Sequence, residues 1–590
     1  MPGMHRPKSG SDLLSTLRTT RRGFTKGSVI SAAALGGLGA GFHLAPATAT
    51  PARQDAAPVR GGTLNAMIQN DWVTLDPLFN SAEPNGTPMI YGHWVLWDRD
   101  PESGLWGPQP DMVAEWELGE NEVTLSLQPG ITFHDGTPWD AAAAKWNMDR
   151  MIFHPASTMK SYLAAVDTSE EDMAAIDALP SDGESGFDYS SQAVQIVDDM
   201  AISLRLSHAS GPLLAALSNA VHWNNPISPA AYNELGRDAY GRNPVGSGPF
   251  RFVEWQPGNQ VVLERNPDYW KEGADGESAP YIDQIIYRLV VDDSVRLLEL
   301  QSGNTDFTEL IQGKDVAAVE GDPNLTLIQS ESQGNNYRMI FDSTNADSVF
   351  VKHPDLRRAM LYAMDRDAMA QVLGFGAGYG RRFLLPAGTF AYDESLPSYW
   401  FDAEQATQLV QDVIAAEASI TNADGRIPVT LTVIDRALDA AQSQMIKQMA
   451  DAVGFEVTIE ILERAAWTAK LVRTPGQEGG TFDVATMRNP VPASDPDLEW
   501  RTFYYSSGGF NVAHLADSEI DEMIDAAAST YDEEERISLY HDLARRAYED
   551  PWYGYLWQQN WNWAMRARVQ NFEEPVTNRW MFNDVWLADA

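Results

Sequence analysis

The chain has 590 residues, with 83 Asp and Glu against 42 Lys and Arg, and a net charge of −41. Such acidity argues against a nucleic-acid-binding role, which depends on contacts with phosphate. The carboxylates are scattered along the chain, a pattern typical of a solvated surface, although a cationic ligand or a salty habitat would also suit them. Single cores stop growing near about 250–300 residues, so the length predicts several domains. The absence of cysteine excludes disulfides and a lipid anchor carried on cysteine.

The N-terminal segment has the features of an export signal. A twin-arginine motif, TRRGFTK, contains Arg21, Arg22 and Phe24. A weakly apolar run over 28–42 follows, too short for a membrane span of roughly 20 apolar residues, and the small residues at 47–49 form a cleavage site. The sequence therefore predicts a twin-arginine signal peptide over 1–49 and a soluble periplasmic chain that the twin-arginine machinery exports already folded.

The first half of the mature chain is dominated by strand patterns. Apolar residues alternate over 123–133 and again in a hairpin over 194–206, and an Ala-rich helix is expected over 140–151. Residues 250–263 alternate on both sides of the turn Gln256-Pro257-Gly258-Asn259, which predicts another hairpin.

The second half is richer in helices. Helical spacing runs from Leu356 to Gly374 after Pro354, and Asp517 or Ser518 can cap another helix. Strands are expected over 428–434 and 457–461. Strands that alternate with helices in this way predict an α/β lobe.

Six segments in consistent order carry a family resemblance. They are GGTL at 61–64 with LDP at 75–77, FHDGTP at 133–138, NPVGSGPFRFVEWQPGNQVVLERNPDYW at 243–270, LQSG at 300–303 with Asp306, LRRA at 356–359 and AMDR at 363–366. Together they resemble the extracellular solute-binding proteins of the peptide/nickel class, family 5, the periplasmic receptors of ABC importers. Any one segment alone would be weak evidence of the resemblance, but six segments in the same order are strong evidence.

The resemblance implies an α/β fold of the two-lobed periplasmic binding protein type II, in the large class with an extra domain on the first lobe. By order along the chain, the first lobe would hold 59–95, 222–335 and 562–590, the extra domain 96–221, and the second lobe 336–561. The lobes would close around a peptide or peptide-sized organic solute, which an ABC permease then receives. The resemblance implies no enzyme activity and no cofactor, and we expect a monomer.

Candidate ligand-binding residues follow from the same resemblance. Glu83, in the loop 80–87, could meet a cationic group, and Asn336 and Tyr337 lie near the expected crossing between the lobes. Arg436 follows the strand at 428–434, where dipeptide-binding relatives hold the ligand carboxylate with an arginine, a side chain that bonds both oxygens at once.

The loop 488–500 supplies three more candidates, Arg488, Asp495 and Trp500. Here the sequence departs from the peptide binders, whose aspartate for the ligand's ammonium group falls on Pro492. Asp495 could substitute, although its family counterparts are mainly structural. Aromatic stacking on a ligand is expected of some of four tryptophans, namely Trp467, Trp500, Trp557 and Trp561.

Two other functions compete with this reading. A receptor for a chelated nickel complex is the alternative within the family, with His514 as its candidate ligand. A secreted hydrolase is a remote alternative, because the sequence has neither H-E-x-x-H nor G-x-S-x-G, and its ten histidines lack metal-ligand spacing.

Overall fold

The structure is a computed structural model, and its described residues belong to one compact unit, Ala56–Ala590. The described ranges are 57–79, 89–99, 106–154, 157, 159, 163, 165–170, 172, 185–219, 224–309, 311–385, 390–472, 480–490, 495–575 and 580–589. The predicted export residues Arg21, Arg22 and Phe24 lie outside these ranges.

Nineteen strands are present in the described ranges. In chain order, β1 to β19 are Thr63–Ile68, Val95–Arg99, Trp106–Pro110, Val113–Leu118, Glu122–Leu127, Val194–Asp198, Ala201–Arg205, Phe250–Gln256, Gln260–Arg265, Gln284–Leu289, Phe307–Thr308, Leu325–Phe341, Gly378–Gly380, Ile427–Ile434, Phe455–Leu462, Val484–Pro490, Tyr553–Arg566, Val569–Gln570 and Trp586–Leu587.

Fifteen α-helices accompany these strands in the described ranges. In chain order, α1 to α15 are Ala141–Phe153, Leu213–Ala216, Pro229–Leu235, Arg237–Tyr240, Asp293–Ser302, Gly313–Glu320, Val349–Lys352, Pro354–Tyr362, Arg366–Leu373, Ala403–Ala416, Ala437–Ala452, Arg464–Leu471, Pro496–Phe503, Ser518–Ala528 and Glu533–Glu549. Short 3₁₀ turns occur at Pro77–Phe79 and Ala418–Ile420.

Aspartate side chains begin many of these helices. An aspartate carboxylate can accept the N–H groups that the first helical turn leaves without partners, and its negative charge suits the helix dipole there. Some of the chain's many acidic residues therefore serve to stabilise helix N-termini. The capping aspartates with such bonds are Asp140, Asp292, Asp365, Asp402, Asp495, Asp517 and Asp532.

One large sheet runs through the molecule, in the order β15-β14-β16-β12-β17-β11-β1-β10-β9-β8, with β13 added to β17. The two central strands β12 and β17 are its longest, and they pair antiparallel with a register shift between Gln329 and Gly334. Buried apolar residues form separate clusters on the two sides of this shift. One side is built around β1, β10 and β11, and the other around β14, β15 and β16.

The two halves of the sheet are the two lobes of the type II binding-protein fold, so the predicted fold class is confirmed. A separate four-stranded sheet, β4-β5-β7-β6, has all its strands within the range 96–221 predicted for the extra domain. The residue bounds of the lobes remain a prediction, because the apolar clusters do not fix them to single residues.

Strand direction sets which ends of the lobes face each other. β12 runs from the first lobe into the second, and β16 is antiparallel to it, so the carboxyl end of β16 points back toward the first lobe. β14 and β15 run parallel to β16. In the first lobe, β1 and β11 are antiparallel to β17, so the carboxyl end of β1 points toward the second lobe. Ligands of open α/β sheets bind outside the carboxyl ends of parallel strands.

Most of the local predictions are confirmed. The hairpin at 250–263 is β8 and β9, and Gly258 in its turn has a φ of 76°, a conformation that glycine adopts without steric cost. The single helix expected from Leu356 to Gly374 is wrong, because two helices, α8 and α9, occupy this stretch. Asp365 caps the second of them by accepting the N–H of Ala368 at 2.9 Å, which marks the start of a new helix.

Candidate ligand-binding site

Arg436 and Arg488 meet at the cleft-facing edge of the second lobe. Arg436 lies two residues after the end of β14 and directly before α11, and Arg488 lies near the carboxyl end of β16. Burial first, and then the positive charge of Arg488, lower the pKa of Arg436. Within the described residues neither side chain forms an ion pair with a carboxylate. Two neighbouring guanidinium groups without such a partner favour an anionic group between them.

Tyr337 lies in the sheet next to these arginines. It is directly opposite Arg488 in the pairing of β12 with β16, so both side chains lie on the same face of the sheet. Its ring stacks on Trp557 with ring centroids 4.6 Å apart and an interplanar angle of 1°. Burial raises the pKa of Tyr337, while the charge of Arg488 acts in the opposite direction. The hydroxyl therefore stays protonated and can donate a hydrogen bond.

Asp439 is a buried carboxylate in the same group of side chains. It lies one turn after Arg436 on α11, it is 1% exposed, and neither of its oxygens has a hydrogen-bond partner within the described residues. Burial raises the pKa of Asp439, against the opposing charges of Arg436 and Arg488. A buried carboxylate without a hydrogen bond is costly, so this side chain is poised to accept a donor.

Asn336 lies on the opposite face of the sheet from Tyr337, because successive side chains of a strand alternate. It is fully buried, and both atoms of its amide lack hydrogen-bond partners within the described residues. It is directly opposite Gln558 on β17, whose side-chain oxygen accepts from Arg381 at 2.9 Å. Asn336 is thus separated from the arginine pair, and its predicted ligand contact remains a prediction.

Asp495 is held by a second-lobe ion pair. Its two oxygens accept hydrogen bonds from Arg536, both at 2.6 Å, and one of them also caps α13 by accepting the N–H of Asp497 at 3.0 Å. Arg536 and the helix N–H group satisfy the buried carboxylate of Asp495, so its burial does not require a ligand. We therefore leave Asp495 out of the proposed site, and its ligand contact remains a prediction.

Trp500 and Trp467 are both buried within the second lobe, in an apolar cluster distinct from the one that contains Tyr337 and Trp557. Trp500 contacts Tyr504 with ring centroids 4.5 Å apart. Trp561 belongs to the first-lobe cluster. Of the four tryptophans considered from the sequence, Trp557 is the one that contacts the group around the arginines.

His514 is engaged at both ring nitrogens. Nδ1 lies 2.9 Å from Oδ1 of Asp342, and Nε2 lies 3.0 Å from the carbonyl oxygen of Leu471. This arrangement leaves neither nitrogen for a metal ion. In the part of the chain that the structure describes, there is also no group of three His, Asp or Glu side chains that could hold one.

One sequence candidate, Glu83, lies outside the described residues, and so does Pro492, the position at which the sequence departs from the peptide binders. Sequence reasoning also missed Asp439. Asp439 lies three residues after Arg436, at the start of a helix that begins at Ala437, so the two side chains lie within one helical turn. This spacing was the only feature of the sequence that could have pointed to Asp439. Aspartates in a first helical turn are common for electrostatic reasons, which is why this signal carries little weight without coordinates.

The sequence model of the bacterial extracellular solute-binding proteins, family 5, matches residues 107–511. This range covers more than half of the chain, and the chain belongs to this family. The predicted family is thereby confirmed, and with it the function of a solute-binding protein of an ABC importer. Among the described helices, none has the length and apolar character that crossing a membrane requires.

Individual relatives match over most of their length. The glutathione-binding protein of Pectobacterium atrosepticum is 27% identical over 76% of this chain and 81% of its own. The probable D,D-dipeptide-binding periplasmic protein of Escherichia coli is 24% identical, with 85% and 89% covered. A solved periplasmic binding protein of Helicobacter pylori, in complex with the peptide STSA, superposes with a TM-score of 0.70 at 19% identity over 90% of this chain and 99% of that one, a likeness that concerns the fold.

Proposed function

We propose that the chain binds a peptide or a peptide-sized solute with a free carboxylate, and that Arg436 and Arg488 hold this carboxylate. The observation that carries the proposal is that the two guanidinium groups lie close together at the carboxyl ends of β14 and β16, with Asp439 nearby but no carboxylate at ion-pair distance in the described residues. A guanidinium can bond both oxygens of a carboxylate at once, and two of them impose its orientation.

Asp439 adds a second requirement for the solute. A ligand that brings only a carboxylate leaves this buried acid without a donor. A ligand that also carries an ammonium group supplies one, at a short distance from its own carboxylate. The site therefore suits a zwitterion better than a simple dicarboxylate. This is in keeping with the named ligands of the relatives, glutathione and a D,D-dipeptide, both of which carry an ammonium and a carboxylate group.

The remaining parts of the proposal concern transport. The lobes, with the bounds given from the sequence, would close on the solute, and a ligand shifts such an equilibrium only by its differential affinity for the two states. A permease of the inner membrane would receive the closed form. The chain would be exported through its twin-arginine signal, act in the periplasm as a monomer and carry out no chemistry on its solute.

A defined panel tests the carboxylate site. Glutathione, D-Ala-D-Ala and L-Ala-L-Ala are titrated by calorimetry, each beside its carboxyl-amidated form. We expect at least one free acid to bind and its amide to bind about 10–100-fold more weakly, since a hydrogen bond to a charged group contributes roughly 1.5–3 kcal/mol.

Variants locate the effect in the structure. Arg436→Gln and Arg488→Gln should each lower the affinity for the free acid and reduce the difference between acid and amide. Arg545→Gln is the matched control, because Arg545 is an exposed arginine that pairs with Asp542 on α15. Full affinity for the free acid in both test variants would overturn the assignment, and so would the absence of binding by all three free acids.

A further inference from the structure

Four arginines are buried inside the second lobe, at exposures of 0 to 3%: Arg338, Arg357, Arg366 and Arg381. Buried charges in proteins are usually paired. Arg338 pairs with Glu499 at 2.8 Å, and Arg357 pairs with Asp550. Within the described residues, Arg366 and Arg381 have no carboxylate at ion-pair distance. This part of the interior therefore carries an excess of positive charge.

Arg366 is held in place by neutral acceptors alone. It donates hydrogen bonds to the carbonyl oxygens of Tyr555 at 2.7 Å and of Leu361 and Met364 at 3.0 Å. These bonds fix the guanidinium but do not neutralise it. Burial, and next the nearby Arg382, lower the pKa of Arg366 to about 9. A negative charge beside it would relieve both effects.

A cavity lies against Arg366. Its empty volume is about 520 Å³, including the part open to solvent, and we call it the second-lobe cavity. Its walls come from the segments at 382–384, 396–399 and 553–555 and from side chains of α13 and α15. Neither Arg436 nor Arg488 borders it, so it is separate from the proposed solute site.

The polar groups without partners at the walls of this cavity can donate. The indole N–H of Trp500, a residue that is 2% exposed, has no acceptor within the described residues, and the buried hydroxyl of Ser398 has no partner there either. Two tyrosine hydroxyls at the wall already donate to backbone carbonyls. Tyr399 donates to the carbonyl of Tyr548 at 2.5 Å, and Tyr553 donates to that of Phe503 at 2.9 Å.

Arg382 stands beside the cavity as a second cation. It pairs with the exposed Asp367 at 2.7 Å, and its guanidinium lies 3.8 Å from the ring centroid of Trp400. Because Asp367 is mostly exposed, solvent screens this pair, and it offsets little of the charge on the interior side.

We propose that the second-lobe cavity binds a small anion, held by Arg366, the indole N–H of Trp500 and the hydroxyl of Ser398. A halide and a small carboxylate share the required chemistry, a compact negative charge that accepts several hydrogen bonds. The bound anion would neutralise the buried guanidinium and stabilise the second lobe independently of the transported solute.

The test uses the full mature chain at constant ionic strength. Sodium gluconate, a bulky anion, is replaced stepwise by sodium chloride or sodium acetate while the thermal unfolding midpoint is measured. We expect one of the two to raise the midpoint steeply at low concentration and then in proportion to the logarithm of its concentration, since specific binding to the folded state stabilises by RT ln(1 + [L]/Kd). A linear dependence for both anions, equal to that of a general salt effect, would overturn the proposal.

Variants and crystals locate the anion. Ser398→Ala and Trp500→Phe should each weaken its apparent affinity by several-fold. Trp467→Phe is the matched control, because its indole N–H is also buried without a partner but lies away from the cavity. Arg436→Gln should leave the anion effect unchanged, which separates this result from the solute site. Crystals soaked in bromide should show an anomalous peak beside Arg366 if the halide binds. Bromide peaks only at other positions, together with a chloride-dependent midpoint, would contradict the assignment.

Discussion

Tyr531 donates its hydroxyl hydrogen to the carbonyl oxygen of Gly119 across a distance of 3.2 Å. Tyr531 lies in the turn between α14 and α15 of the second lobe, whereas Gly119 lies between β4 and β5 of the extra domain. The same hydroxyl accepts the backbone N–H of Ser210 at 3.2 Å, and the next residue, Gly211, donates to the carbonyl of Ala528 at 2.7 Å. The extra domain and the second lobe are therefore joined by hydrogen bonds that a wide opening of the cleft would have to break.

Replacing Tyr531 with phenylalanine should shift the molecule toward its open form. The change removes both hydroxyl hydrogen bonds, each of which contributes about 0.5–1.5 kcal/mol. Because the solute is proposed to bind the closed form, its affinity should fall by about 5–150-fold, with little change in the enthalpy of thermal unfolding. X-ray scattering of the ligand-free variant should give a larger radius of gyration than that of the parent chain.

Tyr505→Phe is the control for this prediction. Its hydroxyl donates to Asp525 at 3.0 Å, a contact confined to the second lobe. It should leave the radius of gyration unchanged. If both variants scatter as the parent does, the contact at Tyr531 has no part in the opening of the lobes.

Asp495→Ala should destabilise the chain strongly. The substitution leaves Arg536 buried beside an empty position, removes a bidentate pair and deletes a helix cap. Breaking one partner of a buried ion pair costs about 3–5 kcal/mol. Urea unfolding of the second lobe should show this loss, while the folded fraction should keep the parental affinity for the solute.

Asp517→Ala is the comparison variant, because it shows how much the free energy of unfolding falls when a helix cap is lost. Asp517 caps α14 but lies nearer the surface, so its loss should cost about 1 kcal/mol. A reduced solute affinity in the Asp495 variant, at urea concentrations where it remains folded, would restore Asp495 to the binding site.

The sequence predicted the fold well because its signals were local and repeated. Alternation over 250–263 identified a hairpin, and the aspartate before Ser518 identified a helix start, since each depends on neighbours in the chain. The break between α8 and α9 was missed because Ala363 and Met364 keep helical spacing, and only the capping bond of Asp365 shows where the second helix begins.

The site was harder to predict than the fold. Arg436, Arg488 and Tyr337 come together because β14, β16 and β12 are neighbours in one sheet, and the positions of all three were named from the resemblance. Asn336, adjacent to Tyr337 in sequence, was grouped with it, but strand alternation places it on the other face. The pairing of Asp495 with Arg536 joins residues far apart in the chain, so local reading could not find it.

His134 should make the stability of the first lobe sensitive to acid. Its Nε2 donates to the carbonyl of Gly248 at 3.0 Å, and burial lowers its pKa to about 4. The unfolded chain has an ordinary histidine pKa of about 6.5, so it binds the proton first as the pH falls. Stability is therefore present in full above about pH 6.5 and is lost toward pH 4, by roughly 3 kcal/mol at most.

The measurement is a series of unfolding curves between pH 7 and pH 4 for the parent and for His134→Gln. We expect the variant to start less stable and to lose less stability over this interval. His208→Gln, at an exposed position of the extra domain, should follow the parental curve. Parallel curves for the parent and His134→Gln would show that this histidine does not contribute to the acid sensitivity.

Asp439→Asn tests whether the solute site selects for an ammonium group. The family resemblance leads us to expect an aspartate with this role in the loop after β16, but proline stands at that position here, as residue 492. Asp439 offers a substitute from a different element, because it is buried beside Arg436 and Arg488 with both oxygens free of hydrogen bonds in the described residues. We expect the variant to bind L-Ala-L-Ala about 10–100-fold more weakly, as befits the loss of a charged hydrogen bond.

The N-acetylated dipeptide distinguishes this role from a structural one. It lacks the ammonium group, so the parent should bind it poorly and Asp439→Asn should bind it no worse than the parent does. Asp435→Asn is the matched control, an exposed aspartate in the same connection between β14 and α11. An equal loss of affinity for both dipeptides would mean that Asp439 only positions the two arginines, and an unchanged preference for the free amine would assign the ammonium group to another residue.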